Sequence, residues 1–305
     1  MTTFAGILIS FLYGTAAWGA DFTSLCGQFG ENKTGGYCIH VPQKSTSKDV
    51  LYYLHGRGNS EHTWAEEWFF PAQLRAEWAK QGTNPPIVVT VSFGPKWVLA
   101  EKNSSRFSGL FETFKTAVMP MIEAQMTGLS GRRMIMGDSM GGFNSVQLAL
   151  KTNLFSRAAI LCAPMTEVSP FAPRSEIDAY VKRSRAYHYY GDDKDHTVMT
   201  AVGEALELVH AFFPTPAEWA TANPLALAAA ADWKVAPKFY VTVGFYDRFA
   251  SYEANEAFVA RLQARGLDVE WHPQWGGHCV MDIASLSRFL TTAGPELSRV
   301  TNENH

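Results

Sequence analysis

Charge is scarce in this sequence. Only 18% of its 305 residues are Asp, Glu, Lys or Arg, and 26 basic against 29 acidic side chains leave a net charge of −3. A diffuse basic surface for nucleic acid is therefore excluded. Long hydrophobic runs are also missing: after the first twenty residues no stretch is long and apolar enough to span a bilayer, so no stable membrane anchor is expected. There are four cysteines, no Cys-x-x-Cys pair and no His-Glu-x-x-His, and so no metal site is expected. No repeat, low-complexity tract or linker marks a second independent domain. What is present is apolar bulk, 47% hydrophobic and 13% aromatic, enough for a large core and incompatible with disorder or a collagen-like repeat.

Residues 1–20 read as an address. They carry no charged side chain, 4–13 (FAGILISFLY) are apolar, and small residues follow. The expectation is a signal peptide and a secreted or periplasmic protein, although no Lys or Arg precedes the run and Trp18 fits poorly before a cleavage after Ala20. A buried N-terminal element would instead leave the protein cytoplasmic. Cys26 and Cys38 bracket a polar, Gly-rich loop and are expected to pair in an oxidising compartment. Cys162, in AAILCA, reads as a buried small hydrophobe, and Cys279 as a side chain packed beneath His278. Asn32 and Asn103 begin glycosylation sequons.

From about residue 49, short apolar runs alternate with helical periods, the pattern of parallel strands covered by helices. The runs are 50–54, 87–93, 134–136, 158–163, 238–243 and 267–272, mostly continuous as in strands buried on both faces. Phe107, Leu110, Phe111, Phe114, Val118 and Met121 recur at helical spacing, as do Phe143, Val146 and Leu150, and Phe258, Val259 and Leu262. Residues 19–42 suit a leading antiparallel hairpin. Residues 165–236 exceed a simple crossover; with their prolines and a helix over 198–212, they read as an insertion over one end of the sheet. The expected domain is therefore 21–305 with this insertion.

Gly137-Asp138-Ser139-Met140-Gly141-Gly142 sits between a strand run and a helical run. Gly-x-Ser-x-Gly in that setting is a nucleophile elbow, which presents Ser139 Oγ at the carboxyl end of the sheet, above a helix N-terminus. A serine nucleophile needs a base, and the base an orienting carboxylate. Asp247 follows the run 238–243 and His278 follows 267–272, so both fall at strand ends on the same side. His272 lies inside a run, His188 lies ahead of the acid's strand, and Asp232 and Asp268 fall at the wrong end of the sheet. Asp192, Asp193 and Asp195 read as a solvated turn. An oxyanion hole would use the Met140 N–H and, from the loop His55-Gly56-Arg57-Gly58-Asn59, the N–H of Gly56 or Arg57, with His55 as a brace. Trp97 and Trp275 are candidates to line the acyl or alcohol pocket.

The blocks LHGRGNS, MGDSMGGFNSVQLAL, the segment 244–247 and GGHCV resemble the esterase D-like branch of the α/β-hydrolases. That branch contains feruloyl and acetyl xylan esterases, S-formylglutathione hydrolases and mycolyltransferase-like enzymes. The resemblance spans roughly 45–293 and departs from the commoner pattern at Asp138, where histidine is frequent, and in the 165–236 insertion. It implies an α/β-hydrolase fold, with a mostly parallel sheet and helices on both faces. It also implies carboxylic-ester hydrolysis through an acyl-enzyme on Ser139, with no metal or organic cofactor. The substrate expected is a small-molecule or polysaccharide-linked ester, acetyl or feruloyl. The alternatives are an acyltransferase, a cytoplasmic thioester hydrolase, and, in a different class, a non-catalytic binding protein.

Overall fold

The run VLYYL has no polar position to turn toward water, and it lies at the centre of the sheet with every residue buried. The computed structural model describes residues 22–30, 35–66, 69–100, 109–191 and 197–292. Eight strands form one sheet: β1 (Phe22–Phe29), β2 (Gly35–Pro42), β3 (Val50–Leu54), β4 (Ile87–Ser92), β5 (Arg133–Asp138), β6 (Arg157–Leu161), β7 (Lys238–Thr242) and β8 (Val269–Trp271). They lie in the order β1-β2-β4-β3-β5-β6-β7-β8. β1 and β2 are the expected hairpin; β2 also runs antiparallel to β4, and from β4 onward every pairing is parallel.

Alternation along β3 builds two cores. Val50, Tyr52 and Leu54 face a layer that includes Phe114, helix α4 (Met140–Lys151) and helix α10 (Tyr252–Ala264). Leu51 and Tyr53 face Trp64, helix α1 (Phe70–Gln81) and helix α11 (Ile283–Thr291). The helical run after β4 comprises α2 (Leu110–Thr113), a π-helical stretch over Phe114–Val118, and α3 (Met119–Glu123). Phe107 of that run, the signal-peptide stretch and both sequon asparagines lie outside the described residues.

The last strand is shorter than its apolar run. Gly266 takes a left-handed φ of 76° at the end of α10, and the N–H groups of Gly266 and Leu267 return to the carbonyls of Gln263 and Leu262. This helix-ending motif claims Leu267 before it can join the ladder.

Between β6 and β7 lie α5 (Arg174–Arg183), α6 (Arg185–Tyr190), α7 (Thr197–Phe212), α8 (Pro216–Ala220) and α9 (Pro224–Ala230). Two of the prolines that mark this stretch start helices: Pro216 and Pro224 open α8 and α9, where a missing N–H costs no hydrogen bond. Ile177, Tyr180, Val181 and Val198 form a small separate core with Ala250.

Candidate active site

β5 ends at Asp138 and α4 begins at Met140, so Ser139 alone makes the turn. Its φ of 52° and ψ of −118° are strained for a residue with a side chain. The turn is held by the Ser139 N–H to the Leu161 carbonyl at 2.9 Å and the Phe143 N–H to the Ser139 carbonyl at 3.0 Å. Gly141 is obligatory, because a methyl group there would overlap the Leu54 carbonyl of the neighbouring strand. The hydroxyl therefore stands over the start of α4, where unpaired N–H groups favour negative charge.

Asp247 and His278 lie 108 and 139 positions beyond the serine, and the sheet brings both to it. His278 Nε2 is 2.9 Å from Ser139 Oγ, and Nδ1 is 2.8 Å from Asp247 Oδ2. Asp247 is fully buried, and its other oxygen accepts the Phe249 N–H at 2.9 Å, which holds the carboxylate in place against the imidazole. Their two loops are tied to each other by the N–H of Phe245 to the Gln274 carbonyl and that of Tyr246 to the Gly276 carbonyl. The Phe249 ring meets the imidazole edge-on with centroids 4.5 Å apart. His272 is elsewhere, stacked on Tyr240 and paired with Glu270. His188 is exposed, and Asp268 pairs with Lys238.

The loop after β3 corrects one expectation. Gly56 N–H is not free for an oxyanion: it donates to Asp138 Oδ1 at 3.1 Å. Arg57 N–H remains, and Arg57 lines the same cavity as Met140, whose N–H opens α4 and has no carbonyl behind it within the helix. His55 is the brace expected of it. Trp97 Nε1–H donates to its Nε2 at 3.3 Å, so Nδ1 carries the proton to the Gly56 carbonyl at 2.8 Å. Burial lowers the pKa of this imidazole and keeps it neutral.

Both tryptophans proposed as pocket walls are elsewhere. Trp97 is fully buried behind His55, and the adjacent Val98 lines the cavity instead. Trp275 is 76% exposed, with its edge on Phe245 and Tyr246, outside the cavity. The cavity at Ser139 encloses about 370 Å³. Its walls are Met140 and Phe143 from the elbow helix and an apolar set from the insertion, including Met165, Ile177, Val209, Phe213 and Trp219. Phe143 stacks on Trp219 with centroids 5.9 Å apart. Sequence reasoning missed these insertion residues. The available signal was α7 itself, whose valines and leucines exceed what one buried face requires.

Cys26 and Cys38 are disulfide-bonded across the β1–β2 pair, as expected. Cys162 and Cys279 are not separate packing residues: they form a second disulfide over a sequence separation of 117. Among the described residues, two clusters bring sulfur and imidazole close enough to hold an ion, Cys26/Cys38/His62 and Cys162/His278/Cys279. In each, the disulfide takes up the thiolates that a metal would need.

Asp138 carries an electrostatic cost of burial. Burial pushes its carboxyl from an ordinary 3.8 up to about 6, against the pull of the Tyr53 hydroxyl, His278 and the Gly56 N–H. A raised acid pKa means the folded state holds the proton more tightly. The stability contributed is complete below pH 3.8 and is lost as pH rises through about 6, amounting to about 3 kcal/mol. Asp138→Asn removes this ionisation. Denaturant unfolding at a series of pH values should show the variant gaining on the wild type as pH rises through that window, and a constant difference would refute the assignment.

The comparisons with known proteins agree with this geometry. Residues 33–269 match the model of the Esterase family, described as "Putative esterase". No curated protein matches the chain. Among solved structures, a ferulic acid esterase is 17% identical with a TM-score of 0.53, over 90% of this chain and 98% of its own. A fluorophosphonate-binding serine hydrolase of Staphylococcus aureus is 16% identical with a TM-score of 0.55, over 90% and 98%. An arylesterase is 17% identical with a TM-score of 0.56, over 88% and 82%. At such identities the likeness concerns the fold, while the family match covers most of the chain: this protein has the α/β-hydrolase fold and belongs to the Esterase family.

Proposed function

We propose that this esterase hydrolyses carboxylic esters through an acyl-enzyme on Ser139. The observation that carries the reading is the continuous hydrogen-bonded chain from Ser139 Oγ through His278 to Asp247. His278 Nε2 accepts the Ser139 proton as Oγ attacks the ester carbonyl, and Asp247 stabilises the imidazolium that forms. The Met140 and Arg57 N–H groups hold the tetrahedral oxyanion. His278 then returns the proton to the leaving alcohol. Water, deprotonated by the same nitrogen, attacks the acyl-enzyme and releases the acid.

The ester proposed is one with a bulky apolar acyl group. Between acetyl and feruloyl esters of polysaccharides, the cavity favours feruloyl, because acetyl would leave most of its 370 Å³ unfilled. Thr166 and Ser169 add polar atoms to the lining for the substituents of the ring. A screen of acetyl, butyryl, feruloyl and formyl-thioester substrates, with and without an acceptor alcohol, tests the reading. Butyryl should exceed acetyl in kcat/KM by about tenfold, as two further methylenes are buried. A preference for acetyl or the formyl thioester, or transfer to the acceptor in place of hydrolysis, would overturn it. Export is likewise a proposal. It rests on the apolar leader and is supported by two disulfides; the site of cleavage, read from the N-terminus of exported protein, tests it.

A further inference from the structure

Both polar groups of Gly56 are held. Its N–H donates to Asp138 Oδ1 at 3.1 Å, while its carbonyl accepts from His55 Nδ1 at 2.8 Å and from the Asn59 N–H at 3.3 Å. The same Asp138 oxygen accepts the Tyr53 hydroxyl at 2.7 Å. Asp138 is buried, and a side chain at position 56 would overlap its second oxygen. The carboxylate on the residue before Ser139 therefore reaches from β5 to the loop after β3 and grips the backbone there.

A trans peptide is planar, and its N–H points opposite to its carbonyl. Fixing the Gly56 carbonyl on His55 and Asn59 aims the Arg57 N–H the other way. Gly56, Arg57, Ser139 and Met140 all line the same cavity. We propose that Asp138 is a positioning residue for the oxyanion hole: it engages the Gly56 N–H and the Tyr53 hydroxyl, and so holds the Arg57 N–H as the second donor opposite Met140. Because Asp138 and Ser139 are consecutive, nucleophile and second donor are set by one short piece of backbone. The inference rests on Ser139 being the nucleophile.

The test uses the full chain with para-nitrophenyl butyrate and a fluorophosphonate. Asp138→Ala should lower kcat by about a hundredfold, the scale of losing one oxyanion donor, with KM nearly unchanged. Asp138→Asn keeps an accepting oxygen and should recover most of that loss. Tyr53→Phe, which frees one side of the carboxylate, should lower kcat several-fold. Unchanged kcat in Asp138→Ala, a loss confined to KM, or no recovery in Asp138→Asn would overturn the proposal. Should Asp138→Ala fail to unfold cooperatively, Tyr53→Phe decides, and unaltered kcat there overturns it. An unlabelled wild type would instead indict the nucleophile, a separate failure.

Discussion

Ser139→Ala is expected to abolish covalent fluorophosphonate labelling and to lower ester turnover on the order of a million-fold. The size follows from the way the three groups act. Without the hydroxyl His278 has no proton to take from the nucleophile, and Asp247 has no imidazolium to stabilise, so the loss of the nucleophile removes the work of all three. The fold should survive, since the hydroxyl of Ser139 contacts His278 and contributes nothing to either core. Circular dichroism checks that point while mass spectrometry follows the label. Retained labelling at a different serine would move the active site. Asp247→Asn provides the companion measurement, with a loss of about 10⁴ in kcat and little change in KM.

The second large effect concerns the Cys162–Cys279 disulfide. In a chain-entropy view, its closure over 117 residues stabilises by about 4 to 5 kcal/mol, against about 3 for the twelve-residue separation of Cys26–Cys38. The two bonds should also differ in kind. Cys279 follows His278 directly and has a left-handed φ of 60°, so the bridge anchors the imidazole's backbone to the end of β6. Cys162→Ser with Cys279→Ser should therefore lower both the unfolding midpoint and kcat, the latter tenfold or more as the imidazole loses alignment. Cys26→Ser with Cys38→Ser should lower the midpoint alone, because that pair joins β1 to β2, with β4 and β3 between them and the elbow strand β5. Equal kcat in both double variants would show that the backbone bonds from the 244–247 turn suffice to hold His278.

How much was legible in advance follows from how local each signal is. VLYYL, IVVTVS and the elbow glycines announce themselves within a few residues, because burial on both faces or a forced close approach restricts each position in place. Asp247 and His278 were found by order, since each follows a strand and parallel strands place such ends together. The Cys162–Cys279 pairing had no local mark: AAILCA suits a buried hydrophobe equally well, and only the assembled fold brings the sulfurs within reach. The direction of a tryptophan is similarly opaque. Trp97 and Trp275 both flank the site in sequence, yet one is fully buried and the other points to solvent. The engagement of the Gly56 N–H depended on the side chain of Asp138, where the family pattern more often carries histidine.

The insertion leaves the sheet after β6 and returns at β7, and the residues that perform the proposed chemistry all lie outside it. Selection can thus reshape the cavity walls by exchanging α5, α7 and α8 while the reacting groups stay as they are. Among the described residues, two ion pairs join the insertion to the rest of the domain, Arg57 with Glu204 of α7 at 2.9 Å and Arg185 of α6 with Glu253 of α10 at 3.9 Å. Arg57 and Glu204 are 38% and 47% exposed and the second pair is long, so each contact is worth at most about 1 kcal/mol and would not oppose such an exchange. Divergence in substrate preference within this architecture needs no new catalyst, only a new set of helices between two fixed strands.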